Sequence, residues 1–267
     1  MSSPQRPSRS AVTVSSPAGI YDYLIGGAHH SAADREAAQR ALASAPEARP
    51  IALENRAFMQ RAVRYVAQRG VRQYIDIGSG FPSAGPVHEI AADIVADPHV
   101  VYVDYDPAVI TLSRELLRSP AVLTVAHDLR HPWEIIDDPD VGRLIDWSEP
   151  VAVLMVAILH FVTDSENPGE IIATFRDHMV PGSYLVLSHA SQGERPDAAE
   201  EAARAWDGAR SPVTLRSPSD IERLFTGFEL IQPGFVTTTE WGTTEPAPTG
   251  QTLFLAGVGE VPDVEPF

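Results

Sequence analysis

The stretch that decides the fold of this chain reads Tyr74-Ile75-Asp76-Ile77-Gly78-Ser79-Gly80-Phe81-Pro82. A short apolar segment there runs into an acidic residue and two closely spaced glycines. A second apolar segment, Val100-Val101-Tyr102-Val103, ends in the carboxylate of Asp104. Glycine lets the backbone turn tightly and approach a ligand, and a carboxylate at the end of the next parallel strand can accept hydrogen bonds from both hydroxyls of a ribose. The pair therefore predicts a site for a cofactor that contains a nucleoside.

Small departures from the dinucleotide-binding fingerprint indicate which cofactor binds. That fingerprint, G-x-G-x-x-G, has a third glycine for close helix packing and a helix N-terminus that faces pyrophosphate. Here Ser83 occupies the third glycine position, and Asp76 precedes the first glycine by two residues. A partly desolvated carboxylate repels pyrophosphate but suits an ammonium group. A ligand with a ribose and an amino-acid tail therefore fits better than a nicotinamide dinucleotide, and S-adenosylmethionine (SAM) is such a ligand.

Composition narrows the range of partners. The chain has 267 residues, of which 44% are hydrophobic, enough for one sizeable α/β domain with additions at its ends. Its 20 basic and 36 acidic residues give a net charge of −16. Such a charge disfavours binding to nucleic-acid phosphates and to anionic membrane surfaces. We therefore expect a small-molecule substrate, no nucleic acid and no membrane; the sequence is compatible with a homodimer and leaves the oligomeric state open.

Cysteine usage and the absence of long apolar segments predict a cytoplasmic protein. No cysteine is present, so disulfides and thiolate zinc sites are excluded. Residues 1–17 are rich in Ser, Pro and Arg without the apolar stretch of a signal peptide, and they are predicted to form a disordered tail. The longest apolar run, 151–159, is too short to cross a bilayer and suits a strand buried on both faces.

Strand and helix signals alternate after residue 70. The apolar runs predicted as parallel strands lie at 74–78, 100–104, 122–126, 151–157 and 184–188. Helix-start signals lie between them, such as Asp106-Pro107, an N-cap followed by proline at the first helical position. Two late apolar segments, 228–236 and 251–258, are typical of a closing hairpin, and the alanine-rich segment 197–206 is predicted to be a surface helix. This alternation predicts a doubly wound sheet over residues 71–267.

A helical part is predicted before the sheet, over residues 18–70. Within 51–69, apolar residues recur at helical spacing, and Gly70 is well placed to end this helix. The segment 18–40 begins with tyrosines and glycines and continues with an alanine-rich helix pattern. Such a segment could fold over the mouth of the site as a lid.

Several further motifs accompany the glycine turn. They are Tyr21-Asp22-Tyr23-Leu24-Ile25-Gly26-Gly27, Asp34-Arg35-Glu36, Asn55-Arg56-Ala57-Phe58, His88-Glu89, Leu159-His160-Phe161 and Pro181-Gly182-Ser183-Tyr184. Together with segments 76–82 and 101–107, they make the chain resemble class I SAM-dependent methyltransferases, and within them a group of actinobacterial S-adenosyl methyltransferases. The resemblance covers nearly everything after residue 17. It implies a Rossmann-like, mostly parallel sheet of seven strands with an antiparallel last strand, and bound SAM, but no particular substrate.

The predicted cofactor site combines glycines and carboxylates. Gly78 and Gly80 are expected to bring the backbone close to the methionine portion of SAM, with a tight turn that binds nothing as the alternative. Asp76 is expected to hold the amino group, or else to cap a helix. Asp104 is expected to bind the ribose. Pro82 stands where methyltransferases usually have a third glycine, which bears on how the methionine tail fits.

Two further residues lie after the third and fourth predicted strands. Asp128, followed by Leu129, stands where methyltransferases commonly meet the adenine amino group, whose hydrogen bond a carboxylate can accept. The alternative is a loop carboxylate paired with Arg130. His160 follows the fourth strand at the edge where open α/β sheets bind ligands. It is either a general base or a hydrogen-bonded structural residue.

The helical part contributes two candidates, Tyr21 and Arg56. A guanidinium suits bidentate contact with the carboxylate of SAM, and the alternative is that the tyrosine packs the lid and Arg56 is a solvated helix residue. His29-His30 and His88-Glu89 match no standard metal-binding spacing, so no metal site is predicted.

These residues predict a SAM-dependent methyltransferase that acts on a small molecule. The alternative is a regulatory module that keeps the nucleoside pocket but performs no transfer, since the sequence contains no unmistakable catalytic dyad. A nicotinamide oxidoreductase is disfavoured by Asp76 and Ser83.

Overall fold

The computed structural model of the protein describes residues 14–83, 85–192, 213–243 and 254–263. The strands of its central sheet are β1 Gln73–Ile77, β2 His99–Asp104, β3 Val122–Ala126, β4 Val151–Val156, β5 Tyr184–Ala190, β6 Glu229–Leu230, β7 Val236–Thr237 and β8 Phe254–Glu260. Their order is β3-β2-β1-β4-β5-β8-β6, and β7 also pairs with β8. The predicted α/β class and the five parallel strands are confirmed.

The strand order reverses at the centre of the sheet. Strand β1 pairs in parallel with β2 on one side and with β4 on the other, while β8 runs antiparallel to β5. The predicted antiparallel last strand is therefore confirmed. Where the order of a parallel sheet reverses, the connecting chains leave in opposite directions and open a crevice at the carboxyl ends of the strands. This crevice lies at the ends of β1 and β4.

The outer edge of the sheet differs in detail from the predicted hairpin. Segment 228–236 is not one strand, because it is interrupted at Gln232-Pro233-Gly234. Proline has no amide hydrogen to donate to a neighbouring strand, and Gly234 adopts a φ of +95°. The two short strands β6 and β7 lie one after the other along the same edge of β8. The sheet thus has seven strand positions, and β6 and β7 share the last one.

Nine helices are found in the described ranges: α1 Pro17–Leu24, α2 Ala32–Ser44, α3 Ala48–Ala67, α4 Val87–Ala92, α5 Pro107–Leu116, α6 Pro132–Ile136, α7 Val141–Leu144, α8 Pro168–Arg176 and α9 Pro218–Glu222. The predicted cap of α5 is confirmed, since the Asp106 side chain accepts a hydrogen bond from the Ala108 amide at 2.9 Å. The predicted end of α3 near Gly70 is also confirmed, because the helix stops at Ala67 and Gly70 adopts a φ of +86°.

Side chains of β1 point alternately to two hydrophobic layers. Ile75 and Ile77 pack in one cluster with residues of α6, α7 and α8, whereas Tyr74 packs in another with Phe58 of α3. Because successive side chains of a strand point to opposite faces, Asp76 points to the same face as Tyr74. Helix α3, part of the predicted N-terminal extension, thus covers the sheet and lies on the side of Asp76.

A buried carboxylate joins the first two helices. Asp34 accepts hydrogen bonds from the amides of Ser16 and Ser31, both at 2.8 Å, and the Ser16 hydroxyl accepts one from the Gly19 amide at 3.1 Å. Charge-assisted hydrogen bonds of this kind are the stronger ones in proteins. Ser15 and Ser16 are buried, so packed structure begins within the segment 1–17 that was predicted as a tail.

Two sequence predictions fall outside the described residues. The first is the surface helix over 197–206, and the second is the beginning of the segment 251–258. Within the described ranges, every helix is too short or too polar to cross a membrane.

The hydrogen bonds that Asp34 accepts lead to a prediction about stability. A Cβ added at Gly19 would overlap the Asp34 carboxylate, so Gly19→Ala must displace that side chain from its amide donors. We expect Gly19→Ala to lower the free energy of unfolding by roughly 1–3 kcal/mol, the usual effect of overpacking a filled site. The matched control is Gly169→Ala in α8, where a Cβ meets nothing within 4 Å. Urea unfolding of both variants measures the difference. Equal stability of the two would contradict a stabilising role of the Asp34 hydrogen bonds.

Candidate functional site

A cavity opens at the carboxyl edge of the sheet, in the crevice where the strand order reverses. It is bounded by the turn after β1, the ends of β2 and β4, and helices α1 and α3. Every residue that the sequence predicted to bind the cofactor or to act in catalysis lines it: Tyr21, Arg56, Asp76, Gly78, Gly80, Asp104, Asp128, Leu129 and His160. The fold therefore brings together residues that are far apart along the chain.

The glycine turn forms one wall of the cavity. Gly78 and Gly80 adopt φ values of +69° and +64°, a region that other L-residues avoid. A Cβ at Gly78 would lie 2.5 Å from the Ile158 side chain, whereas a Cβ at Gly80 would meet nothing closer than Ala18 at 4.0 Å. Gly78 thus allows β1 and β4 to approach each other, and Gly80 leaves open space next to the backbone.

Asp104 is buried at the end of β2 and accepts one hydrogen bond on each carboxylate oxygen. The Gly80 amide donates to Oδ2 and the Asp106 amide to Oδ1, both at 2.9 Å. Burial raises the pKa of Asp104, and these amide hydrogen bonds oppose the rise. Each carboxylate oxygen has a second lone pair, so two adjacent hydroxyl donors fit this side chain.

Asp76 is the second buried carboxylate of the cavity. Removal from water raises its pKa to about 6; the Arg56 guanidinium opposes this rise and the Asp104 charge adds to it. A carboxyl group in such an environment gains from a cation that replaces the lost hydration. An ammonium group fits this position.

Arg56 extends from α3 into the same space. Its Nη2 donates to the Gly85 carbonyl at 3.2 Å. Its Nε is buried and has no hydrogen-bond acceptor among the described residues. An N–H without a partner is unfavourable when buried, so a carboxylate oxygen that arrives with a ligand would satisfy it. Arg56 lines the cavity, and its contact with the carboxylate of SAM stays a prediction.

Asp128 forms a bidentate ion pair with Arg130. The Arg130 Nε donates to Oδ1 and Oδ2 at 2.9 and 3.0 Å, and Nη2 donates to Oδ2 at 2.5 Å. The pairing that the sequence left open is therefore present, and both side chains line the cavity. Leu129 between them is buried and adds an apolar surface. Contact of Asp128 and Leu129 with adenine stays a prediction.

His160 lies at the far side of the cavity in an aromatic environment. Its ring centroid is 4.4 Å from that of Phe161 and 5.6 Å from those of His189 and Phe254. Burial, with the nearby His189 and Arg216, holds the pKa of His160 well below its usual range. Its Nδ1 is buried without a partner among the described residues. The imidazole of His160 is therefore neutral, and its Nδ1 is the nitrogen without a partner.

A hydrogen-bond chain that the sequence did not reveal connects α1 and α3 to the sheet. The Ser188 hydroxyl of β5 donates to Asn55 Oδ1 at 2.5 Å, and Asn55 Nδ2 donates to the Tyr21 hydroxyl at 3.0 Å. Ser188 also accepts from the amide of Ala157, which has a φ of +55° just after β4. Asn55 belongs to a motif of the resemblance, but 133 residues separate it from Ser188.

The adjacent residues His29 and His30 contact a buried carboxylate. Asp22, fully buried, accepts hydrogen bonds from the amides of His29 and His30 and lies 2.9 Å from the His30 Nδ1. A Cβ at Gly27 would overlap this carboxylate. In the part of the chain that the structure describes, no group of three His, Cys, Asp or Glu side chains could hold a metal ion.

Comparisons with known proteins agree with this geometry. A family model described as S-adenosyl methyltransferase matches residues 4–262. A "putative methyltransferase" from Thermobifida fusca YX is 35% identical, with 93% of this chain and 96% of that chain covered and a TM-score of 0.87. A DUF574 family protein from Streptomyces avermitilis MA-4680 is also 35% identical, with 93% and 98% covered and a TM-score of 0.87. No curated protein matches the chain.

The family model spans nearly the whole chain, and two buried carboxylates, Asp76 and Asp104, line one cavity together with the Arg56 guanidinium. This chain belongs to the S-adenosyl methyltransferase family, and its cofactor is SAM.

Proposed function

We propose that this protein transfers a methyl group from SAM to a small molecule inside the cavity described above. The observation that carries the proposal is the placement of Asp76, Asp104 and Arg56 around one cavity, where the charges of Asp76 and Arg56 are opposite to those of the SAM amino-acid tail. The same cavity is bounded by α1 and α3. The net charge of −16 favours neither nucleic acid nor anionic membranes as acceptors.

In this proposal each buried polar group binds one part of SAM. Asp76 holds the ammonium group, Arg56 the carboxylate through its unpartnered Nε, and Asp104 the ribose hydroxyls. Gly78 and Gly80 allow the methionine portion to lie against the backbone. Asp128 and Leu129 border the adenine.

SAM supplies an electrophilic methyl group on a cationic sulfur. The chain contributes orientation of the acceptor and exclusion of water, which alone can account for a large part of a rate enhancement. Helices α1 to α3, within the predicted lid over residues 18–70, provide this exclusion, with Tyr21 held by Asn55 facing the site. His160 accepts the proton of the attacking group.

The ribose assignment can be tested by a change of charge at one position. We expect Asp104→Asn to weaken SAM binding by about tenfold or more, because the ribose hydroxyls lose a charged acceptor. The matched control is Asp106→Asn, which makes the same charge change two residues away and keeps a residue able to cap α5. Calorimetric titration with SAM measures both affinities. Equal affinities of the two variants would remove the ribose assignment.

The raised pKa of Asp76 predicts that SAM affinity depends on pH. The groups that act on Asp76 are Arg56, Asp104, Tyr21 and Tyr102. Only the ionised carboxylate attracts the ammonium group, so the dissociation constant of SAM should fall roughly tenfold between pH 5 and pH 7 as Asp76 loses its proton. Asp76→Asn should bind SAM weakly with a flat profile over the same range.

The raised pKa of Asp76 also means that its ionised form, which favours SAM binding, destabilises the protein without SAM. The folded-state pKa of Asp76, about 6, lies above its ordinary value of 3.8, so its ionisation destabilises the fold increasingly as pH rises from about 4 to 6. We therefore expect Asp76→Asn to be more stable than the natural protein at pH 7 without SAM. A variant that is both less stable and unchanged in SAM affinity would exclude a role for Asp76 in cofactor binding.

Methyl transfer itself is tested by product release. The protein is incubated with SAM and a broad pool of metabolites, and S-adenosylhomocysteine (SAH) is measured, with Asp104→Asn as the inactive control. Release that depends on the pool and is lost in the variant is expected. Tight SAM binding without release from any pool would instead favour a regulatory module that performs no transfer.

A further inference from the structure

One half of the cavity lies away from the proposed cofactor site, and we call it the acceptor half. It is formed by the chain after β4, the end of β5, the segment that enters α9 and the start of β8. Its described lining includes His160, Phe161, Val162, Ala190, Leu215 and Phe254. Apart from the imidazole of His160, these side chains are apolar. Asp104 lies at the opposite end, because β2 and β4 are on different sides of β1.

Arg216, the cation behind the acceptor half, has no donor left for a ligand. Its Nε donates to Asp164 Oδ1, Nη1 donates to the Leu159 carbonyl and to His189 Nε2, and Nη2 donates to the Val162 carbonyl, all within 3.0 Å. A guanidinium has five N–H groups; four donate these hydrogen bonds, and Nη2 also lies 2.8 Å from Asp164 Oδ1 in an ion pair. Arg216 is also buried. It braces this wall and cannot bind an anionic acceptor.

His189 is locked in the neutral form by the same contacts. Its Nε2 accepts from Arg216 at 2.7 Å, and its Nδ1 donates to the Ala190 carbonyl at 2.6 Å. Burial lowers the pKa of His189 to about 4. Both of its nitrogens are occupied. Among the described residues of the acceptor half, this leaves the His160 imidazole as the one polar side chain with an unpartnered buried nitrogen.

We propose that the methyl acceptor is a neutral, largely apolar phenol whose hydroxyl group donates a hydrogen bond to His160. This inference rests on the proposed methyl transfer. None of the described lining residues of the acceptor half is charged, so a carboxylate or an ammonium group would find no partner charge among them, and a charge removed from water without a partner is strongly unfavourable. The unprotonated nitrogen of a neutral imidazole accepts a hydrogen bond, and a hydroxyl provides the donor. The rings of Phe161 and Phe254 line the cavity beside His160, and aromatic side chains pack favourably against an aromatic acceptor.

The chemistry of the step favours a phenol over an aliphatic alcohol. The phenolic oxygen forms a bond to the methyl carbon while the bond from that carbon to sulfur breaks, and the electron pair stays on sulfur as SAH forms. The hydroxyl proton passes to the imidazole of His160 and then to water. An imidazole of low basicity takes a proton more readily from a phenol, whose pKa is about 10, than from the far less acidic aliphatic alcohols.

The proposal is tested first by binding to the intact protein saturated with SAH. Calorimetry is carried out with phenols of one, two and three rings, together with the carboxylate, the aminomethyl compound and the methyl ether of the naphthol skeleton. We expect naphthol to bind about tenfold or more tightly than the naphthoate and the ammonium compound, because neither charge finds a partner. A naphthoate that binds as tightly as naphthol, or failure of every phenol to bind, would overturn the proposal.

The hydroxyl contact with His160 is tested by the methyl ether, which lacks the donor. The natural protein should prefer naphthol over the ether by about fivefold or more, the usual effect of one buried hydrogen bond. His160→Phe keeps an aromatic ring but removes the acceptor, so this preference should disappear while SAM affinity stays unchanged. A preference that survives in His160→Phe would exclude the contact, whatever the stability of the variant.

An added positive charge in the acceptor half provides an independent measurement. Leu215 lines the acceptor half and is partly exposed, so Leu215→Lys can place a cation there. We expect this variant to bind naphthoate more tightly than naphthol. Unchanged selectivity would contradict the proposed position of the acceptor. Failure of these tests with normal SAM affinity overturns the acceptor proposal alone, whereas loss of SAM binding by the natural protein would overturn the proposed function.

Discussion

The site depends on keeping two carboxylates buried at the ends of neighbouring parallel strands. Asp76 and Asp104 end up close together because β1 and β2 pair in parallel, with Asp76 beside Tyr102 and Ile77 beside Val103. Burial raises the pKa of both carboxyl groups. The glycine turn stabilises this arrangement, since the Gly80 amide donates directly to Asp104. The turn that we propose to lie against the cofactor thus also holds the side chain that we assign to the ribose.

The first three helices contribute a positive charge and hydrogen bonds to this site. Helix α3 packs on the face of the sheet to which Asp76 points, and it carries Arg56 into the cavity. The guanidinium near the buried Asp76 carboxylate lowers the free energy of its ionised form. The chain of hydrogen bonds through Asn55 then couples α1, α3 and the end of β5. An N-terminal part that looks like an addition in sequence is therefore an integral wall of the site.

The two halves of the cavity differ sharply in charge. The half near β2 contains carboxylates and a guanidinium, which match a cofactor with a charged tail. The described side chains that line the half near β4, β5 and β8 are uncharged, and Arg216 behind them pairs with Asp164 and donates to His189 and backbone carbonyls. This division explains how one cavity could bind a zwitterionic cofactor and an apolar acceptor side by side.

The sequence by itself determined the fold class, the five parallel strands, the glycine turn and the carboxylates at the strand ends. These features depend on local patterns: apolar runs, helix caps and glycines in turns. Only the tertiary structure showed that Arg56 acts on Asp76 and that Asn55 bonds to Ser188. Side-chain partners across large sequence separations depend on how helices pack on a sheet, and no local pattern encodes that packing.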